Sequence, residues 1–449
     1  MTAYYLTRHP KYDPRLHSII LLEGTRIAGA ASGKAGGFLA TWAYPSCIVP
    51  LSFSLHEQLA REHKGDQRWG YRRLRCAQLA ASGRDPPKES TSNADNEGDR
   101  ITLGKRDTAP RRPSEGSESN RLPADLDWLM PETVDRYEDV SDVDCTAQVQ
   151  PYLFTTCMAK LAEERGVKII LGTVEDINYK EEDDDDAEDG VSAAHPRKTT
   201  PPGRSYSGRV ATSVTYRDSA SAATLTLPAS TIILAAGPWT PTLFPWAPIS
   251  ALRAHSITIK LRKPLSPYCI FTEISYRSKT NNNPGNDKHA NDDDGPTSPS
   301  SQTNQTNHHS RPKPIHPEIL TRPNNEVYLC GSGDYTIPLP PTASQITISP
   351  HHTAELITAA ASISNDLGEG TVTSKRACYL PTVVVPVAGR GGGLPLVGET
   401  GVEGLVLAAG HGCWGIMNAP ATGVIISEIV FDGGARSADV GELDPRRVL

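Results

Sequence analysis

The chain is short of aromatic residues, of methionine and of apolar residues in general. Phe, Trp and Tyr make up 6% of its 449 residues, Met occurs 4 times, and hydrophobic residues reach 37%. One compact body of this length needs more apolar material. The shortage points to an ordered core interrupted by segments that bury nothing. No apolar run approaches the ~18 residues that a membrane-crossing helix needs, which excludes such a span. Positive charge is also in deficit: the net charge is −7 and the isoelectric point is near 6.0. This argues against nucleic acid held by bulk charge. Met1 to Pro10 carry no basic region followed by a long apolar one, so no secretory signal is read there. The 8 cysteines form no C-x-x-C pair. A metal site therefore has little support, and a cytoplasmic chain with reduced thiols is expected.

The polar excess sits in three stretches, about 82–120, 181–204 and 279–314. The second opens with the acidic run Glu181 to Asp186, and all three are almost devoid of large apolar side chains. Each is expected to be a disordered surface insertion. The acidic run fits a solvated surface better than a site for a basic partner, although contacts to other proteins through the insertions stay open. The rest shows no internal repeat and alternates strand-like with helix-like patterns, which suggests an α/β architecture.

Thr2 to Arg8 read as the later part of a helix, and Ser18 to Glu23 as a buried strand ending in a carboxylate. A dinucleotide fold uses such an acid to hold the adenosine ribose, about 20 residues beyond a G-x-G-x-x-G turn. That turn would fall before Met1 and is absent from this sequence. A small-residue run, Ile27 to Phe38, follows, where backbone can approach phosphate or a flat ring closely. It is not a Walker A loop, because Gly29 to Gly33 is one residue short and Ala35 stands where Ser or Thr would bind magnesium.

Further along, Thr146 to Glu164 has helical periodicity with Gly166 as a stop, and Val167 to Val174 reads as a strand and turn. Thr231 to Trp239 is a buried strand running into Gly237. The last module is a strand, Leu405 to Ala409, then Gly410-His411-Gly412-Cys413-Trp414-Gly415, then a helix from about Asn418 to Phe431. Asn418 is expected to cap that helix, with Pro420 in its first turn. A helix N-terminus there would stabilise negative charge on a bound ring.

Together these segments resemble the FAD-dependent oxidoreductases of the D-amino-acid-oxidase and glycine-oxidase superfamily. They are similar in particular to a fungal subgroup implicated in late-endosome-to-Golgi transport. Thr2 to Pro10, Arg26 to Ala43, Trp69 to Leu74, Leu122 to Trp128, Leu252 to Ser256 and Gly410 to Gly423 carry the likeness. The resemblance implies an α/β fold: a Rossmann-like FAD-binding domain of the glutathione-reductase type, lacking its N-terminal strand and glycine turn. A second, α+β substrate domain would carry a large mixed sheet over the flavin. The FAD domain would be discontinuous, 1–45, 142–240 and 392–449, with 46–141 and 241–391 forming the substrate domain. Glu23 would hold the adenosine ribose, and Ser32 and Gly33 would lie by the pyrophosphate and ribityl chain. Val174 would meet adenine through its backbone. Ala236 and Gly237 would lie beside the cofactor, and Gly410, His411, Gly415 and Ile416 would line the isoalloxazine and ribityl region. Cys378 falls where some relatives attach FAD through sulfur, although a packed thiol is the alternative.

Two departures from the pattern matter. Without the glycine turn, the chain as written is expected to bind FAD poorly, and a truncated gene model is the expected cause. Where amino-acid oxidases of the superfamily place an arginine that grips the substrate carboxylate, this sequence has Leu380. Arg253 or Arg376 is a candidate substitute; either is equally a candidate for a structural ion pair. His411 is open between an electrostatic role and support of its loop, and His255 reads as structural. The expected reaction is oxidation of a C–N bond in an amine or amino-acid-like small molecule by hydride transfer to flavin N5. The alternative is a catalytically silent flavin fold acting in endosome-to-Golgi trafficking. An NAD-dependent dehydrogenase would explain Glu23 but not the Gly410 to Gly423 module.

Overall fold

The computed structural model describes residues 1–84, 105, 122–181, 208–276, 314–385 and 393–449. The expected insertions fall almost wholly outside the described residues. Where they do not, they correct the reading: Ser82 and Gly83 belong to a strand, and Lys105 is 8% exposed, so it is buried rather than part of a solvated insertion.

In chain order the elements are α1 (Thr2–Leu6), β1 (Ile20–Glu23), α2 (Ala31–Lys34), β2 (Phe38–Ala40), α3 (Val49–His63), α4 (Gly65–Arg68), β3 (Arg72–Arg73), β4 (Arg75–Gly83), β5 (Val134–Ser141), β6 (Thr146–Gln148) and α5 (Pro151–Glu163). There follow β7 (Lys168–Glu181), β8 (Arg209–Asp218), β9 (Thr224–Pro228), β10 (Ile232–Leu234), α6 (Thr240–Leu243), β11 (Ile249–Lys260), β12 (Tyr268–Tyr276), β13 (Glu318–Arg322) and β14 (Glu326–Asp334). The chain ends with α7 (Pro350–Ile363), α8 (Asn365–Glu369), β15 (Thr371–Val383), β16 (Leu396–Glu399), β17 (Leu405–Ala409) and α9 (Gly415–Asp432).

The largest sheet has seven strands in the order β15-β11-β14-β13-β12-β4-β5. It is mixed: β12 and β4 run parallel and the other pairs antiparallel. Side-chain alternation gives it two apolar faces. Ile257, Ile259, Ile270, Ile319 and Leu329 pack with Leu356 and Ala360 of α7. Cys269, Phe271, Leu320, Tyr328 and Cys330 pack on the other side with Phe38 and Trp414. The remaining strands form a four-stranded sheet, β1-β7-β8-β9, and two three-stranded sheets, β10-β17-β16 and β2-β6-β3. The β1–β7 and β10–β17 pairs are parallel. Among the described residues no strand joins β1 to β10. As an edge strand β1 is half-buried, not fully buried as its apolar run suggests.

The helix expected over Thr146 to Glu164 is instead a strand followed by a helix. Pro151 favours extended backbone in the residues before it and sits readily in a first helical turn. Gln150 completes the start, its side-chain oxygen accepting from the Leu153 N–H at 2.8 Å.

Helix α9 departs further from expectation. It begins at Gly415, so Asn418 lies inside it and donates from its side chain to the Tyr44 carbonyl at 3.0 Å. Gly412–Asp432 is long and apolar enough by composition to cross a bilayer, contrary to the reading that no run approaches that length; 72% of its apolar 18-residue window lies inside the protein, where apolarity serves packing. Pro420, inside the helix, has no N–H for the Ile416 carbonyl. His56 of α3 supplies the missing donor, its Nε2 lying 2.9 Å from that carbonyl. Ser52, one turn earlier, donates to the Met417 carbonyl at 2.6 Å and accepts from the Ala421 N–H at 3.1 Å. It stands between the partners of an ordinary helical bond.

Ser52→Ala leaves that carbonyl and N–H unpaired in a buried seam. The expected loss is about 1–3 kcal/mol of stability, measured from the urea midpoint. An unchanged midpoint would show the bridge to be dispensable.

Candidate functional site

The residues expected to form a site converge where α2, β15 and the 410–415 loop meet. Leu252, Ala254, Cys378 and Leu380 cluster on one face of the large sheet, packed against Ala31 of α2 and Cys413 of the loop. Register explains the grouping: Leu252 pairs with Leu380, Ala254 with Cys378 and Ser256 with Arg376. Arg376 therefore shares that face. Lys34 donates to the Ala377 carbonyl at 3.0 Å, tying α2 to β15. Burial lowers the Lys34 pKa, and the cations Arg26 and Arg376 lower it further.

Arg253 does not join the set. One register position from Ala254, it faces the α7 side and is 3% exposed. Its Nε and Nη2 donate to the two Asp334 oxygens at 3.2 and 3.0 Å. Burial alone would raise the Asp334 pKa; the Thr336 hydroxyl and the Arg253 guanidinium more than offset it, and the net shift is downward. This corrects the reading of Arg253 as a substrate-gripping arginine: its charge is already matched, on the wrong face. His255 stacks on His352 with centroids 4.7 Å apart, and accepts at Nε2 from the Ser349 N–H at 3.0 Å. That supports its structural reading. His255, Asp334 and His352 offer ligand atoms within 4.8 Å of one another, but Arg253 already supplies the countercharge that a metal ion would bring.

His411 is likewise turned to support. Its Nε2 lies 3.0 Å from the Thr422 hydroxyl of α9, and its backbone bridges to Thr382 of β15. Burial lowers its pKa to about 4, so the ring is neutral near pH 7. Gly410, at φ +83, has no room for a side chain: a Cβ would meet Val383 Cγ2 at 2.5 Å. Ile416 opens α9 with its carbonyl held by His56.

Glu23 ends β1, accepting from the Thr25 N–H at 3.1 Å. Burial raises its pKa, against backbone donors that favour the charged form. In α2, Ser32 is exposed and Gly33 is packed so closely that a Cβ would lie 2.0 Å from the Ala28 carbonyl. Val174 lies on β7 beyond Leu171, the partner of Glu23, and pairs with Tyr216. Ala236 and Gly237 follow β10. Cys378 is buried, which pushes its thiol up to about 11 and leaves it a poor nucleophile at neutral pH.

The loops offer what a flat polar ring requires. A Cβ on Gly237 would meet nothing within 4 Å, and one on Gly412 or Gly415 nothing nearer than 3.6 or 3.7 Å. Trp414 Nε1 and Asn418 Oδ1 are buried without a hydrogen-bond partner. Gly412 and Gly415 are thus in ordinary packing contact, and of the three only Gly237 borders open space. The unpaired Trp414 Nε1 and Asn418 Oδ1 are the groups here that fit a polar ring such as a flavin.

Sequence reasoning missed Glu318 and Arg322 on β13 and Lys105 beside them. Glu318 and Arg322 alternate with Ile319 and Thr321, a pattern that places both charges on the Leu320 face. Arg322 donates to the Ala35 and Gly36 carbonyls at 2.9 and 2.7 Å, gripping the small-residue turn. Lys105 had no such signal, lying in a polar stretch.

Over residues 1–429 the chain matches the DAO family, described as FAD dependent oxidoreductase. The chain belongs to that family. Among individual proteins it is similar to the Saccharomyces cerevisiae candidate oxidoreductase TDA3, at 33% identity over 99% of this chain and 92% of that protein. A candidate oxidoreductase of Schizosaccharomyces pombe is 28% identical over 99% of this chain and 94% of its own length. Glycine oxidase from Geobacillus kaustophilus shares the fold with a TM-score of 0.59 at 16% identity, covering 100% of this chain and 95% of that one. Iminodiacetate oxidase from Chelativorans gives 0.58 at 14%, covering 99% and 95%.

Two outcomes check the structural roles assigned here. Arg253→Met strands the buried Asp334 carboxylate and is expected to cost about 3–5 kcal/mol, with most of the loss recovered in Arg253→Met/Asp334→Leu; the denaturant midpoints of both variants measure this. Burial lowers the pKa values of His56, His255 and His411, each to about 4 from an ordinary 6.5. The unfolded chain therefore binds more protons between pH 6.5 and 4. Stability is full above that window and falls with pH within it, by at most about 1.4 kcal/mol per pH unit for each histidine. Melting temperatures from pH 8 to 4.5, with His56→Gln as control, read the slope.

Proposed function

We propose that the chain binds FAD and oxidises a C–N bond of an amine or amino-acid-like small molecule, the hydride passing to flavin N5. One observation carries the reading: α2, the Cys378–Leu380 face and the 410–415 loop meet, and Trp414 Nε1 in that loop is buried without a hydrogen-bond partner. Family membership supports FAD, and the names of the fold neighbours, glycine oxidase and iminodiacetate oxidase, support a C–N substrate. When bound, FAD supplies a two-electron acceptor: the carbon gives up hydride, the nitrogen gives up a proton, and an imine is left.

The chain's own residues do the rest. Glu23 would accept from ribose hydroxyls, as acidic strand ends do in dinucleotide folds. The N–H groups in the first turn of α9 carry partial positive charge toward the ring's polar edge. Leu252, Ala254 and Leu380 present an apolar surface that excludes water from the reacting face. Arg376, on that face, is the arginine available to an anionic part of the substrate. No strong general base is needed, because orientation over the acceptor supplies most of the rate.

The test is FAD binding by the protein with a strand and G-x-G-x-x-G turn fused ahead of Met1, followed by anaerobic mixing with a panel of amines and amino acids. Yellow protein that bleaches with one of them is expected. A folded, colourless protein sinks the reading. Flavin that no amine or amino acid reduces turns it to the silent trafficking factor.

A further inference from the structure

Glu318 is 6% exposed and lies on the face shared with Phe38, Leu320, Tyr328 and Trp414. Its two carboxylate oxygens accept from Lys105 Nζ at 3.1 and 3.0 Å. The same ammonium lies 5.6 Å from the centroid of the Trp414 ring. Cys330 Sγ is 3.9 Å from Glu318 Oε2. A Cβ on Gly36 would come within 3.2 Å of Glu318 Oε1. The pair therefore sits between the Gly36–Phe38 turn and the 410–415 loop, within the candidate site.

Burial alone would lower the Lys105 pKa; the Glu318 charge overcomes it and raises the pKa, so the amine is held as ammonium. A carboxylate and an aromatic face are the two groups that recognise an alkylammonium. A buried ion pair adds little stability over an apolar pair, because both charges must leave water. The arrangement therefore suits recognition better than stability.

We propose that Glu318 and Trp414 form a binding site for a primary alkylammonium, and that Lys105 occupies it as an internal ligand that an incoming amine displaces. The proposal names the substrate class for the oxidation reading and rests on it in that respect. Ammonium binding itself does not require flavin.

The experiment uses the full chain and n-butylammonium as the probe. Lys105→Met empties the ammonium position, and its melting temperature is expected to fall. Millimolar n-butylammonium is then expected to raise the melting temperature of Lys105→Met by several degrees, where n-butanol does not and where the wild type barely responds. Lys105→Met/Glu318→Gln is expected to lose the response. The proposal is overturned if Lys105→Met does not respond, or if the double variant responds equally. If Lys105→Met does not fold, Lys105→Gln keeps a hydrogen-bond donor to Glu318. Calorimetry is then expected to show it binding the amine about tenfold more tightly than the wild type, and equal affinity overturns the site. Flavin content and reduction are measured separately. A Glu318-dependent response without flavin reduction supports this site and sinks the oxidation reading alone. Reduction by amines with an unchanged response in the Glu318 variant sinks this site alone.

Discussion

The register between β11 and β15 governs the rest of the molecule. A strand alternates its side chains with a period of two, so a slip of one residue would exchange every inward group for an outward one. In the observed register Ala254 and Cys378 face α2, while Arg253 and Tyr379 face away. The α2 side thereby carries Leu252, Ala254, Cys378 and Leu380, with Arg376 beyond them on the same face. The opposite side carries a buried polar seam in which Arg253 donates to Asp334 and Thr336, with its Nη1 left without a partner. That seam anchors β14 to β11 and keeps Arg253 from the α2 side.

The site itself lies where separate sheets are sewn together by a few long-range bonds. Lys34 reaches from α2 to β15. Arg322 reaches from β13 to the Gly36 turn, and Asn418 from α9 to the Tyr44 loop. Each bond crosses between elements far apart in sequence and uses a side-chain donor on a backbone carbonyl. Such bonds fix position more than they add net stability. They help hold Gly36, Cys378 and Cys413 in one neighbourhood although these residues come from three distant parts of the chain.

Much of this architecture was legible in the sequence because it rests on local pattern. The strand before Glu23, the glycine after β10 and the strand-loop-helix from Leu405 onward each follow from periodicity and small-residue runs. Boundaries failed where tertiary bonds replaced local ones. Thr146 to Gln148 became a strand because Phe38 and Arg72 pair with it from distant segments. Asn418 reads as a cap from spacing alone, yet the helix had already started at Gly415. The arginine at 253 looked available because face assignment depends on register, which no single strand reveals. Lys105 was invisible for a different reason: composition places it in a polar segment, and only the buried Glu318 carboxylate accounts for its position.

The proline in α9 has a consequence for how the site comes into being. A helix normally closes its own early turns, and its start is then a local event. Here the carbonyls of Ile416 and Met417 accept from side chains of α3. The first turns of α9 are thus completed by docking rather than by winding, and the loop that precedes them inherits that dependence. The 410–415 segment runs straight into turns that Ser52 and His56 hold, so its shape rests on them as well as on its own glycines.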